Sequence, residues 1–334
     1  MFRCPWCGAQ YDLSELNELD HAEDGSGVWC DCCDSFCFLD EARASQHRML
    51  LLLERGGAAA EKNVVSTACR LRKRLSPLRY PGGKSRVIDN IFSRLQADKM
   101  ETFVEVFAGG ASLGLSLLDA GCIKELVLND ADPLVYLFWR SVVESPGYLV
   151  SRLERAALPT HEDFWEAKET ISAFKRGDAV PEDWAAWAFF LLNRLAYSGI
   201  LMGNPMGGKN GSQRQLLCRW NPDGLKDRIL HIHQMAERIE LHNLDCCTFL
   251  EQLAGWYPHC TLFCDPPYFV KGPALYPTAF TVSDHERLAN LLNDLHRGFD
   301  GPDIILTYDD VEEVRTLYPY ATIEALDRAY SIAN

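Results

Sequence analysis

The chain has 334 residues, 47% of them hydrophobic and 24% charged, which fits a soluble globular protein with one large α/β domain and an appendage. No apolar run approaches the ~20 residues that span a bilayer, and no signal peptide opens the chain, so we expect a cytoplasmic protein with reduced or metal-bound cysteines. The net charge of −14 argues against binding nucleic acid through bulk charge alone. Residues 1–60 carry half of that excess, with 4 Lys/Arg against 11 Asp/Glu.

The first part of the chain is rich in cysteine. Six of the 13 cysteines lie in residues 1–37 and include two C-x2-C pairs. Two such pairs can close a tetrahedral thiolate shell around Zn²⁺ with no open position, so a structural zinc ribbon is expected over residues 1–55. Cys32 or Cys37 could replace one member of the second pair. The candidate zinc ligands are Cys4, Cys7, Cys30 and Cys33.

A linker is expected between the ribbon and a catalytic domain. A helical pattern covers Leu39–Arg55 and ends at two glycines. Residues 56–76 then have the small, polar and basic composition of a linker. The catalytic domain is therefore predicted to span residues 77–334.

The first motif of that domain is Arg79–Ser85. Gly82 and Gly83 allow close backbone approach, and Lys84 supplies a cation at the start of a predicted helix. The motif lacks the full spacing of a phosphate loop, which excludes a nucleoside triphosphatase of that type.

A βαβ unit follows. It comprises a strand over Thr102–Phe107, a glycine turn, a helix over Leu113–Ala120 and a second strand over Lys124–Leu128, with Asp130 just beyond it. An acid ~20 residues after the glycines is typical of a ribose-binding carboxylate. The nucleoside could belong to NAD or to S-adenosylmethionine, and the Gly-Gly-Ala-Ser turn disfavours NAD.

The middle of the chain is predicted to be helical and then polar. Residues Tyr197–Trp220 are rich in Gly, Asn, Gln and Arg, the last three being side chains that can read base edges. A long polar loop of this kind is more often functional than a simple connection. The predicted helices are Leu134–Val143, Tyr148–Ala157, Glu162–Phe174 and Trp184–Leu195.

A second acid ends the next predicted strand. Ile239–Leu244 is followed by Asp245, which could line a cofactor edge or cap the helix after it. Both interpretations remain open at this point.

The most informative stretch is Asp265-Pro266-Pro267-Tyr268. A buried strand over Thr261–Cys264 precedes it, so Asp265 lies where open α/β sheets bind ligands. The prolines stiffen the turn and leave neighbouring carbonyls free to accept hydrogen bonds. Acceptors beside an aromatic ring suit the capture of a flipped base by its exocyclic amine.

This motif, downstream of Phe107–Ala111, resembles the Dam-type (alpha-class) S-adenosylmethionine-dependent DNA N6-adenine methyltransferases. The resemblance covers roughly residues 77–318 and includes further motifs in the same order. Ala111 departs from the family's last turn glycine, the zinc ribbon is an addition, and the chain ends at Asn334 before the family's last strand region. The further motifs are Tyr80–Lys84, Asn129-Asp130, Phe190–Arg194, Tyr197–Gly199 and Ala279–His285.

The resemblance implies roles for named residues. Asp265 and the Pro266 carbonyl would accept hydrogen bonds from the adenine amine, Pro267 would stiffen the turn, and Tyr268 would stack on the ring. The implied cofactor residues are Tyr80, Gly82, Gly83, Lys84, Phe107, Gly109, Gly110, Asp130, Asp245 and Asp265. The implied DNA-recognition residues are Asn193, Arg194, Tyr197, Lys209, Arg214 and Arg219.

We therefore expect a Rossmann-like α/β methyltransferase sheet with a helical target-recognition insertion at about residues 145–235. Its expected cofactors are S-adenosylmethionine and structural Zn²⁺, and its partners are double-stranded DNA and a protein bound by the acidic ribbon. The alternatives are an amine methyltransferase acting on cytosine N4, RNA or protein, and a decayed DNA-binding protein without activity.

Overall fold

The structure, a computed structural model, describes short stretches before residue 100 and most of the chain after it. The described residues are 2–3, 10–11, 20–22, 25–30, 35–38, 48–53, 71, 75–79, 91–92, 101–155, 158–201, 203–256, 260–269, 280–297 and 302–326. The strands are β1 (Phe2–Arg3), β2 (Gln10–Tyr11), β3 (Asp20–Ala22), β4 (Gly25–Cys30), β5 (Ser35–Phe38), β6 (Arg48–Leu53), β7 (Thr102–Glu105), β8 (Glu125–Asn129), β9 (Ile239–His242), β10 (Cys260–Cys264), β11 (Asp303–Asp309) and β12 (Thr322–Leu326). The helices are α1 (Ser112–Asp119), α2 (Pro133–Glu144), α3 (Gly147–Arg155), α4 (His161–Arg176), α5 (Glu182–Leu195), α6 (Gln213–Leu216), α7 (Pro222–His233), α8 (Cys246–Trp256), α9 (Val282–Arg297) and α10 (Glu312–Leu317).

A seven-stranded sheet forms the centre of the fold, in the order β12-β6-β11-β10-β7-β8-β9. The run β11-β10-β7-β8-β9 is parallel throughout, while β6 is antiparallel to both of its neighbours. Helices connect the parallel strands, as a parallel sheet requires. The predicted Rossmann-like α/β fold is confirmed.

Alternate strand residues face two separate hydrophobic cores. Phe103 and Phe263 point into the core that contains α2 and α5, whereas Val104 and Leu262 point into the core that contains α8 and α9. Both faces of the sheet are therefore covered, which explains why its central strands are apolar at consecutive positions.

The predicted helix over Leu39–Arg55 is wrong for Arg48–Leu53, which form β6. This strand pairs with β11 and β12, with Leu51 opposite both Leu306 and Ile323. A short apolar run does not show by its periodicity whether it is a buried strand or a helix segment. Strand β6 thus belongs to the seven-stranded sheet although it falls within the predicted ribbon, residues 1–55. The division into ribbon 1–55, linker 56–76 and catalytic domain 77–334 stays a prediction.

The N-terminal strands form two small antiparallel sheets, β1-β2 and β3-β4-β5. Three of the predicted zinc ligands, Cys4, Cys7 and Cys33, lie outside the described residues, and Cys30 is the last residue of β4. The zinc site therefore stays a prediction.

Six of the described helices, α2 to α7, lie between β8 and β9 in the chain. Helix α4 begins with a capping box between Thr160 and Asp163 and ends at Gly177, whose φ of 83° is left-handed. Aromatic packing fixes α5 against α2, with the Phe138 and Phe190 rings 5.3 Å apart. Within the part of the chain that the structure describes, no helix has the length and apolarity to cross a membrane.

Candidate active site

The parallel strands bring the predicted acids to one edge of the sheet. Asp130, Asp245 and Asp265 follow β8, β9 and β10, and the glycine turn follows β7. These four strands are hydrogen-bonded neighbours in the order β10-β7-β8-β9. The backbone N–H of Val106 donates to the carbonyl of Phe263 at 3.1 Å, so the turn starts beside the end of β10. This edge is where open α/β sheets bind their ligands.

The glycine turn after β7 is held through both polar groups of one backbone residue. Gly109 has a left-handed φ of 44°, its N–H donates to Oδ2 of Asp130 at 2.9 Å, and its carbonyl accepts from Nε1 of Trp139 at 2.9 Å. Ala111 is also left-handed, with φ 47°, which explains why a glycine would suit this position. The turn is thereby fixed before any ligand arrives.

Asp130 acts as a backbone acceptor in this structure. Its second oxygen accepts the N–H of Asp132 at 2.9 Å. Burial raises the pKa of Asp130 to about 6, while the hydrogen bonds from Gly109 and Asp132 act in the opposite direction. A carboxylate has about four lone-pair sites, so further hydrogen bonds from a ribose remain chemically compatible with these contacts.

Buried Asn129 joins three loops at the same edge. Its Nδ2 donates to the carbonyls of Val106 at 3.0 Å and Leu244 at 3.1 Å, and its Oδ1 accepts the N–H of Leu244 at 3.0 Å. These contacts connect the segments that follow β7, β8 and β9. One amide side chain therefore connects three neighbouring segments of this edge.

Asp245 is exposed and caps α8. Its Oδ1 accepts hydrogen bonds from the N–H groups of Cys247 at 3.1 Å and Thr248 at 3.3 Å. Of the two roles predicted for Asp245, the structure therefore shows the helix cap. Cofactor binding by Asp245 stays a prediction.

Possible metal-ligand atoms of Asp245, Cys246 and Cys247 lie within 4.8 Å of one another. Burial raises the pKa of both thiols, which opposes the thiolate form that binds metals.

The segment Asp265–Phe269 crosses the end of β10 and contacts the neighbouring strand β11. Oγ1 of Thr307 donates to Oδ1 of Asp265 at 2.7 Å, and Oδ1 of Asp309 accepts the N–H of Phe269 at 3.0 Å. Pro266 is buried, and Pro267 and Tyr268 are half-buried. Thr307 and Asp309 were not predicted from the sequence, although polar residues at alternate positions of an apolar strand end are a recognisable signal.

Aromatic rings pack around the same segment. Phe107 of the glycine turn lies edge-on to Phe280 at 5.9 Å, and His285 contacts Phe280 at 5.2 Å and Phe269 at 4.8 Å. Nδ1 of His285 is 2.9 Å from the hydroxyl of Tyr308. Burial lowers the pKa of His285, partly opposed by the charges of nearby carboxylates, which favours the neutral imidazole at neutral pH.

The predicted cofactor residues Tyr80, Gly82, Gly83 and Lys84 lie outside the described residues, but the residue before them is firmly held. Oδ1 of Asn193 accepts the N–H of Arg79 at 2.7 Å, and Nδ2 of Asn193 donates to the Arg79 carbonyl at 2.6 Å. Nη1 of Arg79 donates to the carbonyl of Ala196 at 3.1 Å. Asn193 of helix α5 therefore fixes the backbone of Arg79, the residue directly before Tyr80.

The six predicted DNA-recognition residues fall into two groups. Asn193, Arg194 and Arg219 are buried, and Nη2 of Arg194 donates to the carbonyl of Arg219. Their position gives Asn193 and Arg194 a role in holding the backbone, which the sequence did not predict. The residues with surface access are the half-buried Tyr197 and the exposed Lys209 and Arg214.

Comparison with known proteins identifies the family. The family model described as "D12 class N6 adenine-specific DNA methyltransferase" matches residues 80–332 of the chain. The DNA adenine methylase of Vibrio cholerae serotype O1 is 21% identical over 269 residues, covering 79% of this chain and 92% of that protein. The Retron Ec67 DNA adenine methylase of Escherichia coli is 23% identical over 250 residues, covering 72% and 79%.

A third relative is a longer protein. Modification methylase LlaI of Lactococcus lactis is 24% identical over 270 residues, covering 78% of this chain and 36% of that protein. The family match extends over most of the chain and includes both the glycine turn and Asp265–Tyr268. The chain therefore belongs to the D12 class N6 adenine-specific DNA methyltransferases, enzymes that methylate adenine in DNA.

Proposed function

We propose that this methyltransferase acts on an adenine flipped out of duplex DNA and that Asp265–Tyr268 is its catalytic segment. The observation that carries the proposal is the position of Asp265, which follows β10 directly beside the glycine turn that follows β7. A base held at Asp265 and a nucleoside held at the turn would then be neighbours. Enzymes that modify a base of duplex DNA need a site that receives the base once it has left the stack.

The catalytic segment has the chemistry that an amine acceptor requires. The lone pair of an exocyclic amine is delocalised into the purine ring. Two acceptors, the Asp265 carboxylate and the Pro266 carbonyl, would hold the amine hydrogens and favour a tetrahedral nitrogen. Pro267 would limit backbone motion, and Tyr268 would stack on the ring. Positioning and electrostatics of this kind account for much of the rate in group transfer.

The residues of the edge fit S-adenosylmethionine, the cofactor that family membership implies. Bound there, the cofactor supplies an electrophilic methyl group on a sulfonium. Among described residues, Asp130 offers a carboxylate for ribose hydroxyls, and Phe107, Gly109 and Gly110 form a fixed turn that allows close backbone approach. The remaining residues proposed for cofactor binding are Tyr80, Gly82, Gly83, Lys84 and Asp245.

The test is direct product analysis. Full-length protein is incubated with S-adenosylmethionine and genomic DNA free of methylated adenine, and the digested DNA is examined by mass spectrometry. We expect N6-methyladenine, abolished by Asp265→Ala but not by Asp227→Ala, a matched change at an exposed acid of α7. N4-methylcytosine, transfer only to RNA or protein, or cofactor binding without transfer would each refute the proposal.

We further propose that exposed Lys209 and Arg214 contact the DNA backbone and that half-buried Tyr197 also contacts DNA, while buried Asn193, Arg194 and Arg219 support this region from inside. Removing two cations that bind phosphates should reduce the dependence of log affinity on log salt by about 1.8 for duplex DNA. Fluorescence anisotropy of the Lys209→Ala/Arg214→Ala double variant over a salt series measures this slope. An unchanged slope would refute these contacts.

For the N-terminal part, we propose a ribbon that binds Zn²⁺ through Cys4, Cys7, Cys30 and Cys33 and contacts a protein partner through its acidic surface. Cysteines that bind zinc must stay reduced, and the cytosol keeps thiols reduced. This requirement, together with a cellular DNA substrate, supports a cytoplasmic location. A variant lacking residues 1–38 keeps β6, and we expect it to lose one zinc per chain and retain DNA affinity. Retained zinc, or a large loss of DNA affinity, would contradict this assignment.

A further inference from the structure

Strand β11 presents two polar side chains to the catalytic segment. Cys264 of β10 is paired with Leu306 of β11, so Asp265 and Thr307 follow at the next position of the register. Thr307 and Asp309 are two residues apart and therefore share one face of the strand. Thr307 bonds the side chain of Asp265, and Asp309 bonds the backbone of Phe269.

These two contacts hold Asp265, the first residue of the catalytic segment, and Phe269, the residue directly after it. Pro266 and Pro267 have no N–H group, so backbone anchoring through donors is restricted to Asp265, Tyr268 and Phe269. The N–H of Phe269 is one of these three donors, and it donates to the Asp309 carboxylate. The prolines stiffen the chain between the two contacts, so both ends of the segment are fixed relative to β11.

The contact at Asp265 also fixes a reactive group. A hydroxyl that donates to a carboxylate forms one of the stronger hydrogen bonds in proteins, and Thr307 is 1% exposed, so water cannot readily replace it. With Oδ1 held at 2.7 Å, rotation of the carboxylate about its side-chain bonds is restricted. The orientation of Asp265 therefore depends on a residue of another strand.

We propose that Thr307 and Asp309 are positioning residues for methyl transfer, which act by orienting Asp265 and the backbone of its segment. This inference rests on the proposed role of Asp265 as the acceptor for the adenine amine. Thr307 and Asp309 need not touch the substrate. Their loss should slow the chemical step more than it weakens the binding of DNA or cofactor.

Thr307→Val removes the hydroxyl and keeps the shape of the side chain. We expect the single-turnover rate of methyl transfer to fall about ten- to a hundred-fold, a range typical of misplaced catalytic groups, with KM for DNA and cofactor within about two-fold. Thr307→Ser, which keeps the donor, should restore most of the rate. The matched control is Thr261→Val, an equally buried threonine at the opposite end of β10.

Equal rates in the Thr307→Val and Thr261→Val variants would overturn the proposal, as would a defect that Thr307→Ser does not repair. Thermal unfolding of each variant shows whether any loss reflects folding. Asp309 provides a second test, because Asp309→Asn keeps an acceptor for the Phe269 N–H and Asp309→Ala does not. We expect a slower single-turnover rate only in Asp309→Ala. Equal rates in the two variants would overturn the proposed positioning role of Asp309.

The Asp265→Ala variant separates this inference from the proposed function. If Asp265→Ala is inactive while Thr307→Val transfers methyl groups at the full rate, the catalytic assignment stands and the positioning role is refuted. If Asp265→Ala remains active, the catalytic assignment itself fails.

Discussion

Two glycines after α5 offer a test of how tightly the start of the catalytic domain is held. Gly199 and Gly208 are both left-handed, with φ of 72° and 77°. A Cβ on Gly199 would lie 2.5 Å from the carbonyl oxygen of Arg79, whereas a Cβ on Gly208 would meet nothing within 4 Å. The pair therefore separates steric conflict from backbone strain.

The magnitudes follow from these two environments. Gly208→Ala introduces left-handed strain of about 1–2 kcal/mol, reduced by about 0.4–1 kcal/mol because alanine restricts the unfolded chain. The expected net cost is about 1 kcal/mol. Gly199→Ala adds the cost of overpacking, about 1–3 kcal/mol, so its unfolding free energy should fall by about 2–4 kcal/mol in total.

Urea unfolding of the two full-length variants measures this difference, and calorimetric titration with S-adenosylmethionine measures its functional effect. Arg79 directly precedes the predicted cofactor residue Tyr80. Gly199→Ala should therefore weaken cofactor binding, while Gly208→Ala should not. Equal stability losses would refute the steric reasoning. Undiminished cofactor affinity in a clearly destabilised Gly199→Ala protein would refute the link between the Arg79 backbone and cofactor binding.

Two further predictions concern the carboxyl edge of the sheet. Asn129→Ala leaves the carbonyl of buried Val106 and the N–H and carbonyl of half-buried Leu244 without their amide partner, so at about 1 kcal/mol for each lost hydrogen bond we expect a loss of about 3 kcal/mol in urea unfolding. Asn243→Ala removes one hydrogen bond at an exposed site and should cost less than about 1 kcal/mol; similar losses in both would contradict the joining role of Asn129. The raised pKa of Asp130, about 6 against 3.8 for the ordinary group, means that the folded chain binds this proton more tightly than the unfolded chain. The stability contributed by Asp130 is therefore full below about pH 4 and lost as the pH rises through about 6. The unfolding free energy of the natural chain minus that of Asp130→Asn should fall between these two pH values. A difference that does not change with pH would contradict this prediction.

Much of the fold was predictable because local signals agreed with the final structure. Helix α5 was expected over Trp184–Leu195 and spans Glu182–Leu195, and the βαβ unit around the glycine turn lies where its pattern indicated. Strand β6 was missed for a physical reason. Met49–Leu53 is apolar at every position, and its pairing with β11 and β12 is a long-range property that a local pattern does not contain.

The candidate site was predictable to the extent that its residues follow strand ends. Asp130 and Asp265 were predicted to follow strand ends and do follow β8 and β10, while their roles stay predictions. The burial of Asn193 and Arg194 was not predictable, because Asn and Arg beside a polar loop suit base contact and backbone contact equally well in sequence. Thr307 of β11 donates one hydrogen bond to Asp265 at the end of β10. The residues around Thr307 in sequence give little indication of such a long-range contact.

The position of β6 has a consequence for biosynthesis. Leu51 leaves the ribosome about 255 residues ahead of its partner Leu306 and about 272 residues ahead of Ile323. The strand must therefore stay unpaired, with its leucines exposed, until these later residues have emerged. Pairing over such a separation slows folding and leaves apolar edges open to association with other chains. Chaperone demand during synthesis should accordingly be concentrated on this early leucine-rich segment.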